Sequence, residues 1–361
     1  MAKTPAKSLV TNALIDRIIK ASGNELADHL DKSDIINNKD WIKIAVHVMN
    51  IALTGELDGH FEPGLMQIAG PSKHFKTLFM LIIMKAYLEK YPHAVAVIFD
   101  AEGGAAKKYF RMVGIDTARV SHIPISNIEE LKRNFTKVLH ELKRGEKVFF
   151  GIDSIGNLAS IKEIEDALSD NEASDMTRAK QLKSLGRIIT PSLVNKDLFC
   201  VAVNHTYKTM EKFATNVVGG GTGLYYSADN VWIIGREQET KETAGKKKLL
   251  GYNFNIVVDK SRSVKEKSKF EVYVDFTTGI DIYSGLLDIA LLGGFIIQPT
   301  AQSYALRTTP ANTVKMKDIN ELLSIVIEDP LFKEYVKDAY QLKETKMFGE
   351  ASEVVQEEQE D

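Results

Sequence analysis

The run Gly70-Pro71-Ser72-Lys73-His74-Phe75-Lys76-Thr77 carries the residue types that hold phosphates. In the pattern G-x-x-x-x-G-K-[ST], backbone N–H groups cradle a polyphosphate, the Lys reaches its β and γ groups, and the hydroxyl holds Mg²⁺. The first Gly, the Lys and the Thr are in place, but Phe75 stands where the second Gly belongs. Glycine takes positive φ at no steric cost, whereas a bulky residue at positive φ is an outlier. Phe75 therefore either keeps an ordinary negative φ with its ring packed away from the ligand, or marks a degenerate loop that binds nothing.

Acids at strand ends would complete such a site. Val148-Phe-Phe-Gly-Ile-Asp153 is an apolar run closed by a carboxylate, suited to holding Mg²⁺ beside Thr77. The plain alternative is an Asp that only caps a helix. Ile98-Phe-Asp100-Ala-Glu102 is a second acid-ended run, and Glu102 could orient or deprotonate an attacking water. Asn204-His205 closes a third; it could sense a γ-phosphate, or His205 could be structural.

Other residues suit a polyanionic strand. Residues 206–215 interleave Tyr207 and Phe213 with Lys208 and Lys212, and Gly219–Gly223, with Gly220 and Gly221, follow. Aromatics stack bases while Lys side chains pair with phosphates, a fit for single-stranded DNA; a plain surface loop is as good a reading. Residues 161–175 are a second candidate loop, too acidic to favour phosphates. Met176, Arg178, Lys180 and Lys183 just after it are mostly basic. Lys260 and Arg262, with Lys265, Lys267 and Lys269, cluster at a strand end, where they could pair with a γ-phosphate held by a neighbouring subunit or form a solvated turn.

The elements that must position these groups follow from periodicity. Leu65–Ala69, Ala94–Phe99, Val148–Ile152, Leu198–Val203 and Val231–Ile234 are continuous apolar runs, most of them separated by helical stretches. That rhythm predicts an α/β fold with a mainly parallel sheet covered on both faces. Phe254–Val258 and Phe270–Phe276 lack an intervening helix and predict an antiparallel extension. Ser8–Ser22 predicts an amphipathic helix that needs a partner. Residues 237–248 are charged and predict a mobile loop or hairpin tip, and residues after about 280 a small, mostly helical region. The last twelve residues hold six acids and no base, a tail composition.

At 44% hydrophobic, the 361-residue chain can fill a large core. Its net charge of −3 means that DNA binding must use local basic surfaces. The lone Cys200 excludes a disulfide framework and predicts a buried strand thiol. No secretory segment is evident, and the longest apolar run, Leu78–Met84, is far short of the ~20 residues that span a bilayer. A cytoplasmic protein with no membrane partner is expected.

In this order, the loop, Asp100-Ala-Glu102, Val113-Gly-Ile-Asp116, Asp153-Ser154 and Gly219–Gly223 resemble the RecA-type recombinases. The phage UvsX type is most similar: it too carries Phe before the loop Lys, and residues 153–160, 174–180 and 260–270 look alike almost residue for residue. The resemblance covers roughly residues 40–299. It implies a RecA-like P-loop ATPase core (36–282), an N-terminal helical oligomerisation segment (1–35), a small C-terminal domain (283–348) and an acidic tail (349–361). It implies ATP and Mg²⁺ held by residues 70–77, with Thr77 and Asp153 on the metal, Glu102 activating water and Tyr109 stacking on adenine. His205 would couple γ-phosphate to DNA, and Lys260 and Arg262 would reach the neighbouring subunit's ATP. Residues 161–175 and 206–219 would be DNA loops. The implied activity is DNA-dependent ATP hydrolysis in a helical filament on single-stranded DNA, pairing it with homologous duplex. A recombination mediator and a single-stranded-DNA-binding protein would be partners, in host cytoplasm if the chain is phage-encoded. The alternatives are a RecA-fold helicase or ring ATPase, and a non-hydrolysing DNA-binding assembly protein.

Overall fold

The computed structural model describes residues 7–37, 41–60, 62–103, 107–169, 176–208, 216–243 and 246–342. Helices α1 (Lys7–Ser22), α2 (Asp34–Asn37) and α3 (His47–Thr54) come first. The alternating core follows as β1 (Gly64–Gly70), α4 (Lys76–Lys90), β2 (Val95–Asp100), α5 (Lys107–Val113) and β3 (Val120–Pro124). It continues through α6 (Ile128–Glu141), β4 (Val148–Asp153), α7 (Ile161–Leu168), α8 (Thr177–Lys196) and β5 (Phe199–Lys208). Then β6 (Asn216–Val218) and α9 (Thr222–Ser227) lead into the hairpin of β7 (Asn230–Thr243) and β8 (Lys246–Lys260), followed by β9 (Lys269–Asp275) and β10 (Gly279–Ile280). The chain closes with α10 (Leu286–Leu292), β11 (Ile296–Thr300), β12 (Ser303–Leu306), α11 (Ile319–Val326) and α12 (Pro330–Tyr340).

The main sheet runs β10-β9-β8-β7-β1-β5-β4-β2-β3, with β6 pairing beside β5. From β7 to β3 every neighbour is parallel, and β7-β8-β9-β10 is antiparallel. This is the expected RecA-like arrangement: a parallel core with an antiparallel extension. Its central strands are apolar throughout because both faces are covered. Along β1, Met66 and Ile68 join the core beneath α3 and α4, while Leu65 and Ala69 join the one beneath α6 and α8. The alternation holds in β5, where Val201 and Val203 face one core and Cys200 and Ala202 the other. Cys200 is the buried strand thiol expected, its pKa raised by burial.

Several elements differ from the sequence expectation. Residues 161–175 were expected to be a loop, but Ile161–Leu168 is helical, started by a capping box in which the Ser160 hydroxyl accepts from Glu163 N. Residues 170–175 lie outside the described residues. Of the two readings of residues 237–248 the mobile loop fails and the hairpin holds, because β7 runs to Thr243 and β8, paired with it, starts at Lys246. Residues 237–240 are exposed, so charge is compatible with strand there. β3 has no apolar run to announce it, because an edge strand is half-solvated and only Val120 and Ile123 turn partly inward. The C-terminal region contains a β-hairpin as well as helices, and Leu286, Phe332 and Val336 join the core beneath α3 and α4. On α1, Leu14 and Ile18 are exposed within the chain. Among the described residues no helix is long and apolar enough to cross a membrane.

Candidate active site

The loop between β1 and α4 packs tightly from its first residue. A Cβ on Gly70 would come within 2.8 Å of the Ile234 carbonyl oxygen, so no side chain fits. Lys76, the first residue of α4, is 6% exposed and its Nζ donates to the Pro71 carbonyl at 2.9 Å. Burial lowers its pKa, against the opposing pull of Glu102 and Asp153. A desolvated ammonium at a helix N-terminus is a strong attractor of phosphate.

The structure resolves the question of Phe75. It is the N-cap of α4 and adopts the left-handed conformation, φ 50°, ψ 26°. The ordinary negative φ is therefore not what this loop uses. Lys73 is also left-handed, at φ 63°. The ring does pack aside, stacked on Phe254 at 4.9 Å.

Opposite Lys76, the Thr77 hydroxyl donates to Asp153 Oδ2 at 2.8 Å, which joins the two expected metal-holding groups. Asp153 lies 2% exposed at the end of β4. Burial pushes its carboxyl up to about 6; the Thr77 hydrogen bond works against this and the Glu102 and Asp100 charges add to it. A hydroxyl and a carboxylate converging beside a phosphate loop fit Mg²⁺, whose charge would restore the ionised form of Asp153.

Glu102 sits in the turn after β2. Asp100 sets that turn: its Oδ1 accepts from the backbone N–H groups of Glu102 (3.0 Å) and Gly103 (2.8 Å), and its Oδ2 bonds His122 Nε2 at 2.9 Å. Burial raises the Asp100 pKa, but the bonds from His122 and the two amides outweigh it and hold the group below its ordinary value. Glu102 Oε1 meets the Ser154 hydroxyl, Asn157 Nδ2 at 2.9 Å and His205 Nε2 at 3.2 Å. The His205 ring lies against Gly156, where any Cβ would come within 2.2 Å of it. A carboxylate fixed by three partners is well placed to orient a water.

These groups share one cavity of about 340 Å³, lined by residues 72–78 together with Glu102, Tyr109, Asp153 and His205 among others. Tyr109, on α5, is half-exposed at its wall, as an adenine-stacking residue would be. The expected loop, metal, base, stacking and His205 positions thus come together.

Lys260 and Arg262 do not join them. Lys260 Nζ donates to the carbonyls of Tyr225 (3.3 Å), Tyr226 (3.0 Å) and Ala228 (2.6 Å), closing the end of α9. Arg262 pairs with Asp229 at 2.7 Å, and Asp229 accepts from Leu65 N at the start of β1. The phosphate loop leaves the opposite end of that strand.

The DNA candidates divide. Met176, Lys180 and Lys183 are exposed, and Tyr207 is exposed with its hydroxyl accepting from Gly220 N. Gly220 and Gly221 hold positive φ. Arg178 is turned inward instead, donating to the carbonyls of Leu158, Ile155 and Gly156 and anchoring the segment after β4. Lys208 ends β5, while Lys212 and Phe213 lie outside the described residues.

Sequence reasoning missed several supporting groups. Gln67, fully buried in β1, donates to the Leu224 carbonyl and accepts from Asn204 Nδ2, which also bonds the Gly219 carbonyl. Asn204 is therefore a buried link between β1, β5 and the 219–224 turn, with its neighbour His205 reaching Glu102. A lone Gln inside Leu65–Ala69 was the available signal. Arg236, Tyr252 and Phe254, which surround the loop from the hairpin, gave none.

No family model matches the chain. It is 46% identical over 342 residues to the "Recombination and repair protein" of Enterobacteria phage T4, covering 91% of this chain and 86% of that one. It is 22% identical over 253 residues to "Protein RecA" of Borreliella burgdorferi (strain ZS7), covering 69% of this chain and 67% of that one. The extent of the phage match, together with a loop, acids and His205 gathered at the ends of a RecA-like sheet, places this chain in the family of RecA-type recombinases.

Proposed function

We propose that the chain is an ATP-dependent DNA strand-exchange protein that assembles as a helical filament on single-stranded DNA and pairs it with homologous duplex. The observation that carries this reading is Glu102, oriented by Ser154, Asn157 and His205 opposite the Lys76, Thr77 and Asp153 group. Lys76 and the backbone N–H groups of residues 72–77 hold the phosphates of ATP, and Tyr109 stacks on the base. Thr77 and Asp153 would hold Mg²⁺, which when bound would supply positive charge beside the phosphates. Glu102 accepts the proton of the attacking water, and His205 carries the state of that carboxylate toward residues 206–219, which were expected to be a loop but begin in β5 and return as its antiparallel partner β6. Lys260 and Arg262, at the far end of the sheet, serve the ATP of the adjacent subunit, so nucleotide joins subunits and hydrolysis loosens them.

Local basic groups then add along the filament, which reconciles DNA binding with a net charge of −3. Residues 1–35 dock on a neighbour, 36–282 form the ATPase and DNA-binding core, 283–348 a small C-terminal domain, and 349–361 an acidic tail. A mediator and a single-stranded-DNA-binding protein work beside it, in the cytoplasm, which is the host's if the chain is phage-encoded. The test is ATP hydrolysis with and without single-stranded DNA, alongside electron microscopy of the same mixtures. Stimulated hydrolysis with filaments supports the reading. Duplex unwinding without filaments would point to a helicase, and DNA binding without hydrolysis to an assembly protein.

A further inference from the structure

We propose that Arg236, Tyr252 and Phe254 form a brace that replaces the missing second loop glycine by holding Phe75 in its left-handed conformation. The inference rests on reading this loop as an ATP site. A left-handed backbone is disfavoured for any residue with a Cβ, because that atom crowds the neighbouring carbonyl. The loop carries two such residues, Lys73 and Phe75, two positions apart. Both are gripped from the β7–β8 hairpin.

The grip on Phe75 is aromatic. Its ring stacks on Phe254 with centroids 4.9 Å apart and planes 29° apart, and meets Tyr252 edge-on at 6.2 Å. Phe254 is fully buried and in turn meets Phe79 of α4 edge-on at 5.7 Å. The grip on Lys73 is polar: Arg236 Nη1 donates to its carbonyl oxygen at 2.8 Å. One side chain ties the two grips together, because the Arg236 guanidinium also lies 4.4 Å from the Tyr252 ring centroid. Arg236 and Phe254 are direct register partners across the hairpin, and Tyr252 sits two residues along on the same face as Phe254. With the turn so held, Phe75 O still accepts the first bond of α4, from Phe79 N at 3.1 Å. The amides and Lys76 are then set before ATP arrives. A buried aromatic stack and a cation–π contact are together of the size needed to offset the left-handed penalty.

A loop with glycine at 75 takes positive φ there unaided, so it has no use for the aromatic grip, whereas the Lys73 carbonyl still accepts its bond from Arg236. Arg236→Met and Tyr252→Leu, at partly exposed positions outside the cavity lining, test this in the native and the Phe75→Gly backgrounds. The readouts are KM for ATP and kcat of single-strand-stimulated hydrolysis, and direct binding of N-methylanthraniloyl-ATP. In the native loop each substitution should raise KM and the dissociation constant about tenfold, with kcat moving less than about twofold. In the Phe75→Gly background Tyr252→Leu should change KM less than about twofold, while Arg236→Met should keep part of its cost through Lys73. Phe75→Ala, which loses the ring but keeps Cβ, should weaken ATP binding more than Phe75→Gly. For Tyr252→Leu, an equal cost in both backgrounds, or none in either, would overturn the brace while leaving the ATP site standing. Failure of the unsubstituted chain to bind the labelled ATP would overturn the ATP site and the brace with it.

Discussion

The two ends of the central sheet both hold ionisable groups whose pKa is shifted by burial, and differ in how those groups are partnered. At the carboxyl end of β1, side chains and backbone are held in costly states. Lys73 and Phe75 are left-handed, Lys76 is buried with its pKa lowered, and Asp153 is buried with its pKa raised. At the other end the cations are satisfied locally, Lys260 by three carbonyls and Arg262 by Asp229. The first end is prepared for a polyanion and a cation that come from outside the chain. At the second, the Arg262 guanidinium is 69% exposed while its partner Asp229 is 7% exposed, so drawing Arg262 to another anion would cost the energy of leaving a buried carboxylate unpaired. The difference separates an end open to a ligand from one whose cations are already engaged within the chain.

Substitutions break this contrast to different degrees. Lys76→Ala removes the cation at the prepared end and should lower single-strand-stimulated ATP turnover by about 10³-fold, measured as phosphate release. Turnover near the native rate would remove the loop from the chemistry. Glu102→Gln keeps an acceptor for Ser154, Asn157 and His205 but loses the base. Hydrolysis should fall by about 10²-fold while ATP-dependent binding to single-stranded DNA persists in a mobility-shift assay. The smallest effect concerns stability. Folding raises the Asp153 pKa from 3.8 to about 6, so it favours the neutral carboxyl. The cost is absent below pH 4, grows as the pH rises to about 6, and is fully present above it. Asp153→Asn should therefore stabilise the metal-free protein by about 2–3 kcal/mol above pH 6 and by little below pH 4. Melting curves of the two proteins across that range check the sign; a gain that shrinks as pH rises would contradict it.

Much of the prepared end was legible in sequence, because strand ends announce themselves. Asp100 and Asp153 close continuous apolar runs, and the parallel order of those runs brings their ends together without further information. Glu102 and Thr77 follow from the same logic. The state of Phe75 was not legible, because the residues that hold it lie on a hairpin far along the chain and read only as strand positions. Arg178 shows the opposite failure: a basic stretch suggested DNA, but its guanidinium is committed to three carbonyls. Local composition reports charge and not where a side chain turns. The β3 edge strand and α7 escaped because half-solvated elements lack a long apolar run, although the Ser160-x-x-Glu163 capping box was there to read.

The central claim is that the two ends of the sheet work only when two chains bring them together. Mixing two defective proteins tests it most directly. One carries Lys76→Ala and lacks a working loop; the other carries Lys260→Ala with Arg262→Ala and lacks the cations. Each alone should show little ATP turnover on single-stranded DNA. Together they should regain it wherever an intact loop faces an intact cation pair, up to roughly a quarter of the native rate if the two chains are mixed equally and placed at random along the filament. A mixture no more active than its components would contradict the account.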